Sequence, residues 1–141
     1  MRLLAIIAVL LIVSVAPNPA PASGNSFATG PAVTAAATWL AVVDAGGFLR
    51  SWEEAAGLLK NAVPRSGWQR LLRGARMPLG EVRRRTLKSA EAATTLPGAP
   101  GGAYVVITYD TVFSGKSSAR ETVTTHREAD GRWRIAGYFI K

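Results

Sequence analysis

Few residues in this chain of 141 residues could carry out nucleophilic, acid–base or metal chemistry. There is no cysteine, and the one histidine, His126, has no neighbouring motif that would build a catalytic triad with a serine. A single histidine without a close cluster of carboxylates is also too small a ligand set for a metal ion. The glycines from Gly98 to Gly102 are interleaved with proline and lack the lysine of a nucleotide-binding loop. The sequence therefore predicts no catalytic nucleophile, no metal site and no cofactor.

A concentration of basic side chains between Arg65 and Lys88 could instead bind an anion. This stretch contains eight basic residues and one acidic residue, Glu81, in a chain whose formal net charge is +8. Phospholipid head groups, a phosphorylated glycolipid or an acidic polymer would match that charge. The alternative is that these side chains form solvated helix and strand surfaces that keep the protein soluble. The candidate ligand contacts in this stretch are Arg70, Arg73, Arg83 and Arg84.

The N-terminus has the pattern of a secretory signal peptide. Arg2 precedes an apolar run from Leu3 to Ala16, and Ala20-Pro21-Ala22 places small residues where a signal peptidase cuts. The run is shorter than the roughly 18–20 apolar residues that span a bilayer, although an uncleaved anchor is the alternative. We therefore expect residues 1–22 to be a signal peptide cleaved near residue 22–24, and a mature chain without a transmembrane span.

Export would narrow the choice of partners. A periplasmic or secreted protein does not meet DNA or RNA, so we expect no nucleic-acid partner despite the basic composition. Because the chain has no cysteine, neither a disulfide nor a lipid anchor at a lipobox cysteine can form, and the fold depends on its core alone. An anionic envelope component or a protein partner is expected instead.

Three helices are expected after a flexible lead-in at residues 23–30. Apolar residues recur at helical spacing in three segments that glycine or proline bounds. The first starts at Pro31 and ends at Asp44-Ala45-Gly46-Gly47, the second runs from about Phe48 to Val63, and the third starts at Ser66 and stops at Met77-Pro78-Leu79-Gly80. Ser66-Gly67-Trp68-Gln69 matches a capping box, in which serine and glutamine side chains satisfy free N–H groups.

Four antiparallel strands are expected after the helices. Residues 81–95 could continue a helix by their pattern, but their threonine and valine content favours a long strand. The other strands are predicted at Ala103–Phe113, Ala119–Arg127 and Arg132–Ile140. This order predicts one α+β domain over residues 31–141, with three helices packed on one face of a curved four-stranded antiparallel sheet.

The turn of the last hairpin sets the register of its two strands. A three-residue loop, Ala129-Asp130-Gly131, places Glu128 opposite Arg132 as a cross-strand ion pair. The same register sets Thr125 opposite Ile135, Val123 opposite Gly137 and Glu121 opposite Phe139. Because strand side chains alternate, the core face would hold Val123, Thr125, Trp133, Ile135 and Phe139.

The outer face of this hairpin is less polar than a solvated sheet face should be. It would carry His126 and Arg134 and, beside them, the apolar surface of Ala136, Tyr138 and Ile140. A face of that mixture often packs against a second copy of the protein. A homodimer through the outer sheet face is therefore a hypothesis.

The four tryptophans could line a ligand pocket or belong to the core. Trp39, Trp52 and Trp68 fall at helical core spacing and Trp133 falls on the core face of the last strand, which favours the core. We keep Trp133 and Tyr109, which lies on the strongest predicted strand, as candidate contacts of a ligand.

Six short motifs occur together along the chain. They are Trp39-Leu40, Val43-Asp44-Ala45-Gly46, Ser51-Trp52, Pro78-Leu79-Gly80, Leu96-Pro97-Gly98-Ala99-Pro100 and Asp130-Gly131-Arg132-Trp133-Arg134-Ile135-Ala136-Gly137-Tyr138-Phe139-Ile140. In combination they resemble a catalogued bacterial domain of unknown function, family 4019, over residues 32–141. The resemblance implies an exported bacterial protein and brings no assigned activity or catalytic residues.

The layout is also similar to the nuclear-transport-factor-2-like, or cystatin-like, roll, which hosts enzymes and inert binding modules alike. Ketosteroid isomerases on this roll use a pocket aspartate as base and a tyrosine as oxyanion donor. By that similarity, Asp44 and Tyr109 would be the catalytic pair of a small isomerase- or hydratase-like enzyme. The simpler interpretation is that Asp44 ends a helix and Tyr109 packs with its hydroxyl bonded.

The expected function is therefore a non-catalytic binding module of the cell envelope, with the arginine-rich stretch as its main contact. The pocket enzyme that uses Asp44 and Tyr109 is the alternative.

Overall fold

Helices come first and strands second in this protein. The computed structural model describes residues 27–141. It contains helices α1 (Gly30–Asp44), α2 (Phe48–Glu53), α3 (Gly57–Ala62) and α4 (Arg65–Arg76), a short 3-10 helix (Met77–Leu79), and strands β1 (Val82–Ala93), β2 (Tyr104–Phe113), β3 (Lys116–Arg127) and β4 (Trp133–Ile140). Sequential strands pair antiparallel in the order β1-β2-β3-β4, which confirms an α+β fold with an open antiparallel sheet. The predicted signal peptide and residues 23–26 of the lead-in lie outside the described residues.

The prediction of one continuous second helix is wrong, because the segment contains two helices, α2 and α3. Ala56 leaves the helical conformation, with a ψ of 153°. Its N–H donates to the carbonyl oxygen of Ile135 in β4 at 2.8 Å, and the N–H of Gly57 donates to the Glu128 carboxylate at 3.0 Å. Hydrogen bonds to the hairpin thus replace those that would have continued α2, so the described residues contain four α-helices rather than three.

The predicted capping box at Ser66 is also wrong. α4 begins one residue earlier, at Arg65, with Pro64 as its N-cap and no side-chain hydrogen bond at the cap. Pro64 is extended, with a ψ of 155°, and its carbonyl oxygen accepts the N–H of Trp68 at 2.9 Å. The proline that was expected to end the preceding helix therefore starts this one.

The hairpin of β3 and β4 has the predicted turn but a different register beyond it. Gly131 has a φ of +82°, as the bulge position of a three-residue loop requires. Thr125 lies opposite Ile135, as predicted, but the next pair is Thr124 with Gly137, so Ala136 is an extra residue in β4. This β-bulge places Val123 opposite Tyr138 and Glu121 opposite Ile140, instead of the predicted Gly137 and Phe139.

The bulge exchanges the two faces of β4 at its C-terminal end. Tyr138 is buried in the core cluster and Ile140 packs against that cluster, whereas Phe139, predicted to face the core, is 37% exposed. Ala136 is buried as well. The homodimer hypothesis needed Ala136, Tyr138 and Ile140 on the outer face, and in the described part of the sheet these three side chains do not form an exposed apolar surface.

The core lies between the helices and one face of the sheet. It joins side chains of α1, α2 and α4 to alternate residues of the strands. The fully buried members with the largest side chains include Leu40, Trp68, Leu72, Ile107 and Ile135. In residues 27–141 no helix is both long enough and apolar enough to cross a membrane. The cystatin-like roll stays a prediction.

Candidate functional site

A network of two arginines and two carboxylates occupies the boundary between the helices and the sheet. Asp44 is the last residue of α1, Arg76 the last residue of α4, Arg85 lies in β1 and Glu121 lies in β3. Each positive charge faces a negative one, so the four side chains are neutral as a group. We call these four residues the arginine–carboxylate network.

Arg85 is the centre of the network. Its Nε and Nη2 atoms donate to the two oxygens of Glu121 at 2.7 and 3.2 Å. Its Nη1 and Nη2 atoms donate to the two oxygens of Asp44 at 2.7 and 3.0 Å. One guanidinium therefore joins two carboxylates from different elements, in the planar geometry that arginine allows and lysine does not.

Glu121 is fully buried in the core face of β3. Besides Arg85, it accepts hydrogen bonds from the Thr111 hydroxyl at 2.6 Å and from the Tyr138 hydroxyl. A buried carboxylate is tolerated only when a positive charge and several donors compensate for its lost hydration. Burial and the Glu121 charge both raise the pKa of Tyr138, so this hydroxyl keeps its proton and acts as a donor.

Asp44 lies at the C-terminus of a helix, where a negative charge is unfavourable with respect to the helix dipole. Arg76 compensates for this with a hydrogen bond of 2.8 Å, and Arg85 adds two more. Burial opposes ionisation of Asp44, but the hydrogen bonds from Arg85 and Arg76 outweigh it and lower the pKa of Asp44. The carboxylate is therefore held ionised.

Arg76 is only partly satisfied by Asp44. Its Nε and Nη1 atoms are buried and have no hydrogen-bond partner among the described residues. Its guanidinium lies 5.1 Å from the centre of the Phe113 ring, so the aromatic face supplies part of the missing stabilisation.

Of the predicted catalytic pair, Asp44 belongs to this network, and Tyr109 lies close enough to it to feel the charges of Arg85 and Glu121. The Tyr109 hydroxyl is buried without a hydrogen-bond partner among the described residues, and burial raises its pKa, with Arg85 opposing and Glu121 adding to that shift. The bonded tyrosine hydroxyl of the simpler interpretation is thus found at Tyr138 and not at Tyr109. A general base near neutral pH needs a raised carboxylate pKa, and the pKa of Asp44 is lowered.

The four predicted anion contacts are exposed and lie on two different elements. Arg70 and Arg73 belong to α4, and Arg83 and Arg84 belong to β1. Arg84 pairs laterally with Val112 and alternates with the core-facing Arg85, so it points to the sheet face that the helices leave uncovered. The stretch that the sequence treats as one cluster is therefore divided between two sides of the molecule.

The predicted contact Trp133 lies in the wall of a cleft of about 710 Å³. The cleft is bounded by α1, α2 and the β3–β4 hairpin and is lined in part by Thr34, Thr38, Trp39, Arg50, Glu54, Arg132, Trp133 and Arg134. Phe27 packs on Trp133 with ring centres 5.5 Å apart. Arg132 has no carboxylate within 4.0 Å among the described residues, so the cleft presents an aromatic ring and an uncompensated guanidinium.

The hairpin that forms this wall is fixed by Arg134. The predicted Glu128–Arg132 ion pair is replaced by Arg134 contacts to Glu128 at 2.8 Å and to Asp130 at 2.9 Å, because Glu128 turns towards the N-terminus of α3. The hydrogen bonds from Arg134 and from the Arg132 backbone lower the pKa of Asp130 to about 2. The turn is thereby held in one conformation beside the cleft.

Sequence reasoning missed Arg85 and Glu121, the two central residues of the network. One signal was present, because Glu121 shares a strand face with Val123 and Thr125, and a carboxylate on a core face requires a partner. His126, expected on the outer face, stacks on Tyr104 with ring centres 4.7 Å apart.

Comparison with known proteins gives one family match. The family described as "Protein of unknown function (DUF4019)" matches residues 35–138, which confirms the resemblance that the motifs suggested. No curated protein and no solved structure matches the chain.

Proposed function

The chain belongs to the DUF4019 family of proteins of unknown function, and we propose that it is an exported, non-catalytic binding module that contacts an anionic component of the cell envelope. The signal-peptide pattern of residues 1–22 supports export. The basic surface of the described residues supports an anionic partner.

The observation that carries this proposal is the way in which charges pair. Among residues 27–141, every side-chain carboxylate except that of Glu91 has a basic side chain within 4.0 Å. Many basic side chains have no such partner there, including three of the four predicted contacts, Arg70, Arg73 and Arg84. Arg83 lies 3.4 Å from Glu81, and both side chains are well exposed. The positive charge is thus available at the surface, not consumed inside the fold.

Replacement of the four predicted contacts tests the proposal. The variant with Arg70, Arg73, Arg83 and Arg84 all changed to Ser is expected to lose binding to vesicles that contain phosphatidylglycerol or to micelles of a phosphorylated glycolipid. A matched control changes to Ser four exposed basic residues that already pair with carboxylates: Arg50, Arg65, Lys88 and Arg120. Unchanged binding of the fourfold variant, or no binding of the parent protein to any anionic envelope component, would refute the proposal.

A second candidate function is the binding of a small ligand in the cleft beside Trp133. The aromatic wall and the uncompensated Arg132 favour a molecule with an apolar ring and an anionic group. Native mass spectrometry of protein exported to a bacterial periplasm is expected to show the additional mass of a bound ligand. The double variant Trp133→Ala with Arg132→Ser is expected to lose this additional mass. A parent protein that carries no additional mass, even after exposure to envelope extract, would argue against this function.

Two further hypotheses from the sequence, the pocket enzyme and the homodimer, have less support in the structure than the two functions above. An isomerase- or hydratase-like enzyme would need Asp44 as a base, but both of its oxygens accept hydrogen bonds from arginine and its pKa is lowered. A homodimer through the outer sheet face would need an exposed apolar face, but Ala136 and Tyr138 are buried. Neither reading is part of the proposal.

A further inference from the structure

The exposed side of α4 and the following 3-10 helix combines free positive charge with apolar side chains. Arg70 and Arg73 are exposed and have no carboxylate within 4.0 Å among the described residues. Leu71 is 41% exposed and Met77 is 64% exposed, and both are among the few large apolar side chains that reach solvent in the described part of the chain. We call these four residues the α4 surface.

Helix geometry explains why these residues lie together. Residues three and four positions apart share one side of a helix, so Arg70, Arg73 and Met77 form a stripe. Leu71 lies about 100° around the helix from Arg70, at the edge between this stripe and the buried side. Met77 has helical dihedral angles, with φ −57° and ψ −44°, so the register of α4 extends to it. The opposite side of α4 carries Trp68, Leu72 and Ala75, which are buried in the core.

We infer that the α4 surface rests on the anionic surface of a lipid bilayer, with Leu71 and Met77 entering the boundary between head groups and acyl chains. This inference rests on the proposed function and names the anionic component as a membrane. A helix that binds at a bilayer surface combines basic side chains, which meet anionic head groups, with apolar side chains that enter the acyl boundary. The arginines attract anionic head groups. Transfer of the two apolar side chains from water to the apolar part of the bilayer is favourable as well.

A soluble acidic polymer or a free phosphate would use the arginines but not the apolar side chains. Such a partner leaves Leu71 and Met77 in water, where their exposure brings no stabilisation. The bilayer is the partner that accounts for both kinds of side chain at once. Arg84 lacks such a neighbour on its own face of the sheet, because the exposed Phe139 lies three strands away on β4. The exposed Leu87 of β1 pairs with the core-facing Tyr109, so it points to the other face.

Vesicle flotation with three pairs of substitutions tests this inference. The parent protein, purified after export with its intact mass determined, is mixed with phosphatidylcholine vesicles that contain or lack phosphatidylglycerol. One pair removes charge from the α4 surface (Arg70→Ser with Arg73→Ser) and one removes its apolar groups (Leu71→Ser with Met77→Ser). The matched control removes the same charge from the sheet, at two exposed residues that pair with Asp110 (Lys88→Ser with Arg120→Ser). Circular dichroism checks that each variant is folded.

The expected result is binding of the parent to the anionic vesicles alone, weakened by added salt. An arginine near an anionic bilayer contributes about fivefold to the partition coefficient, so the first pair should weaken binding about 25-fold. Loss of two partly exposed apolar side chains should weaken it about tenfold. The control pair, Lys88→Ser with Arg120→Ser, should change binding less than about twofold, since Debye screening removes the influence of charges on the far side of the sheet.

Several outcomes would overturn the inference and leave the proposed function standing. One is that the apolar pair binds vesicles as well as the parent does, which would mean a contact through charge alone. Another is that the control pair on the sheet, not the α4 pair, loses binding. A third is that the parent binds a soluble acidic polymer or glycolipid micelles but no vesicles. Failure to bind any of these anions would refute the proposed function as well.

A fluorescent probe gives an independent readout of insertion. The chain contains no cysteine, so Met77→Cys introduces a unique labelling site. An environment-sensitive fluorophore at this position should shift to shorter wavelength with anionic vesicles. The same label at Ser117→Cys, in an exposed part of β3, should not shift. A Met77 label whose spectrum does not change when anionic vesicles are added would show that this position stays in water and would overturn the inference.

Discussion

Replacement of Arg85 by methionine should destabilise the fold strongly, because Arg85 is the only described cation that contacts Glu121. Methionine preserves much of the side-chain volume but removes four hydrogen bonds to two carboxylates. Asp44 keeps Arg76 and reaches solvent, with 28% of its side chain exposed. Glu121 has no exposed surface and would keep only the hydroxyls of Thr111 and Tyr138.

The magnitude follows from the burial of Glu121. Removal of one partner of a buried ion pair leaves an uncompensated charge, which lowers the free energy of unfolding by about 3–5 kcal/mol. That loss is a large share of the roughly 5–15 kcal/mol that stabilises a typical domain. The neighbouring residue supplies the control, because Arg84 is exposed and Arg84→Met should change the free energy of unfolding by less than about 0.5 kcal/mol.

Urea unfolding monitored by tryptophan fluorescence measures both variants. The double variant Arg85→Met with Glu121→Gln should recover at least half of the loss, because it removes the uncompensated charge as well as its partner. If Arg85→Met lowers the free energy of unfolding by no more than Arg84→Met does, the reasoning about the network is wrong. If the double variant is no more stable than Arg85→Met alone, the loss does not come from the charge of Glu121.

Two further predictions concern Asp44 and the hairpin turn. Because the folded-state pKa of Asp44 is lowered, its ionised form stabilises the fold at pH values above roughly 4, the unfolded pKa, and this stabilisation is lost as the pH falls through the folded pKa. The difference in unfolding free energy between the parent and Asp44→Asn should therefore be constant in neutral solution and shrink in acid; a difference that grows in acid would contradict this sign. Gly131→Ala should lower the free energy of unfolding by about 1–2 kcal/mol, because the φ of Gly131 is +82°. The control is Gly101→Ala, at a position with open space and no positive φ, which should change the free energy of unfolding by less than about 0.5 kcal/mol. Equal effects of the two substitutions in urea titrations would refute the assignment of the turn.

The position of Tyr138 shows how far alternation along a strand can be trusted. The turn chemistry at Gly131 and the pairing of Thr125 with Ile135 were correctly predicted, because both depend on residues near the turn. Alternation then placed Tyr138 outside and Phe139 inside, which is wrong, since the bulge at Ala136 shifts the count by one. Gly137, next to the bulge, is a sequence signal of a bend in the strand. It does not predict the shift in register, because either register buries an aromatic ring.

The break between α2 and α3 has a similar cause. The apolar spacing from Phe48 to Val63 is helical throughout, and Gly57 alone is a weak stop signal. The break is made by partners that are distant in sequence, the carbonyl of Ile135 and the carboxylate of Glu128. Periodicity describes a segment by itself, so it does not contain the hydrogen bonds that another element offers.

The arginines of α4 differ in their environment, and this difference determines which of them contribute positive charge to the surface. Arg76, in the last turn, meets the carboxylate of Asp44 from another helix and is buried. Arg70 and Arg73, one to two turns earlier, meet no carboxylate among the described residues and stay in solvent. The same residue type within one helix therefore supplies a structural contact at one end and free surface charge along the other side. A count of charges treats them as one cluster, and only the fold, which brings Asp44 at the end of α1 to Arg76, separates them. Burial of Trp68, Leu72 and Ala75 in the core sets the orientation of α4. The Arg76 contact to Asp44 fastens its C-terminal end, and Arg70, Arg73 and Met77 therefore face outward together.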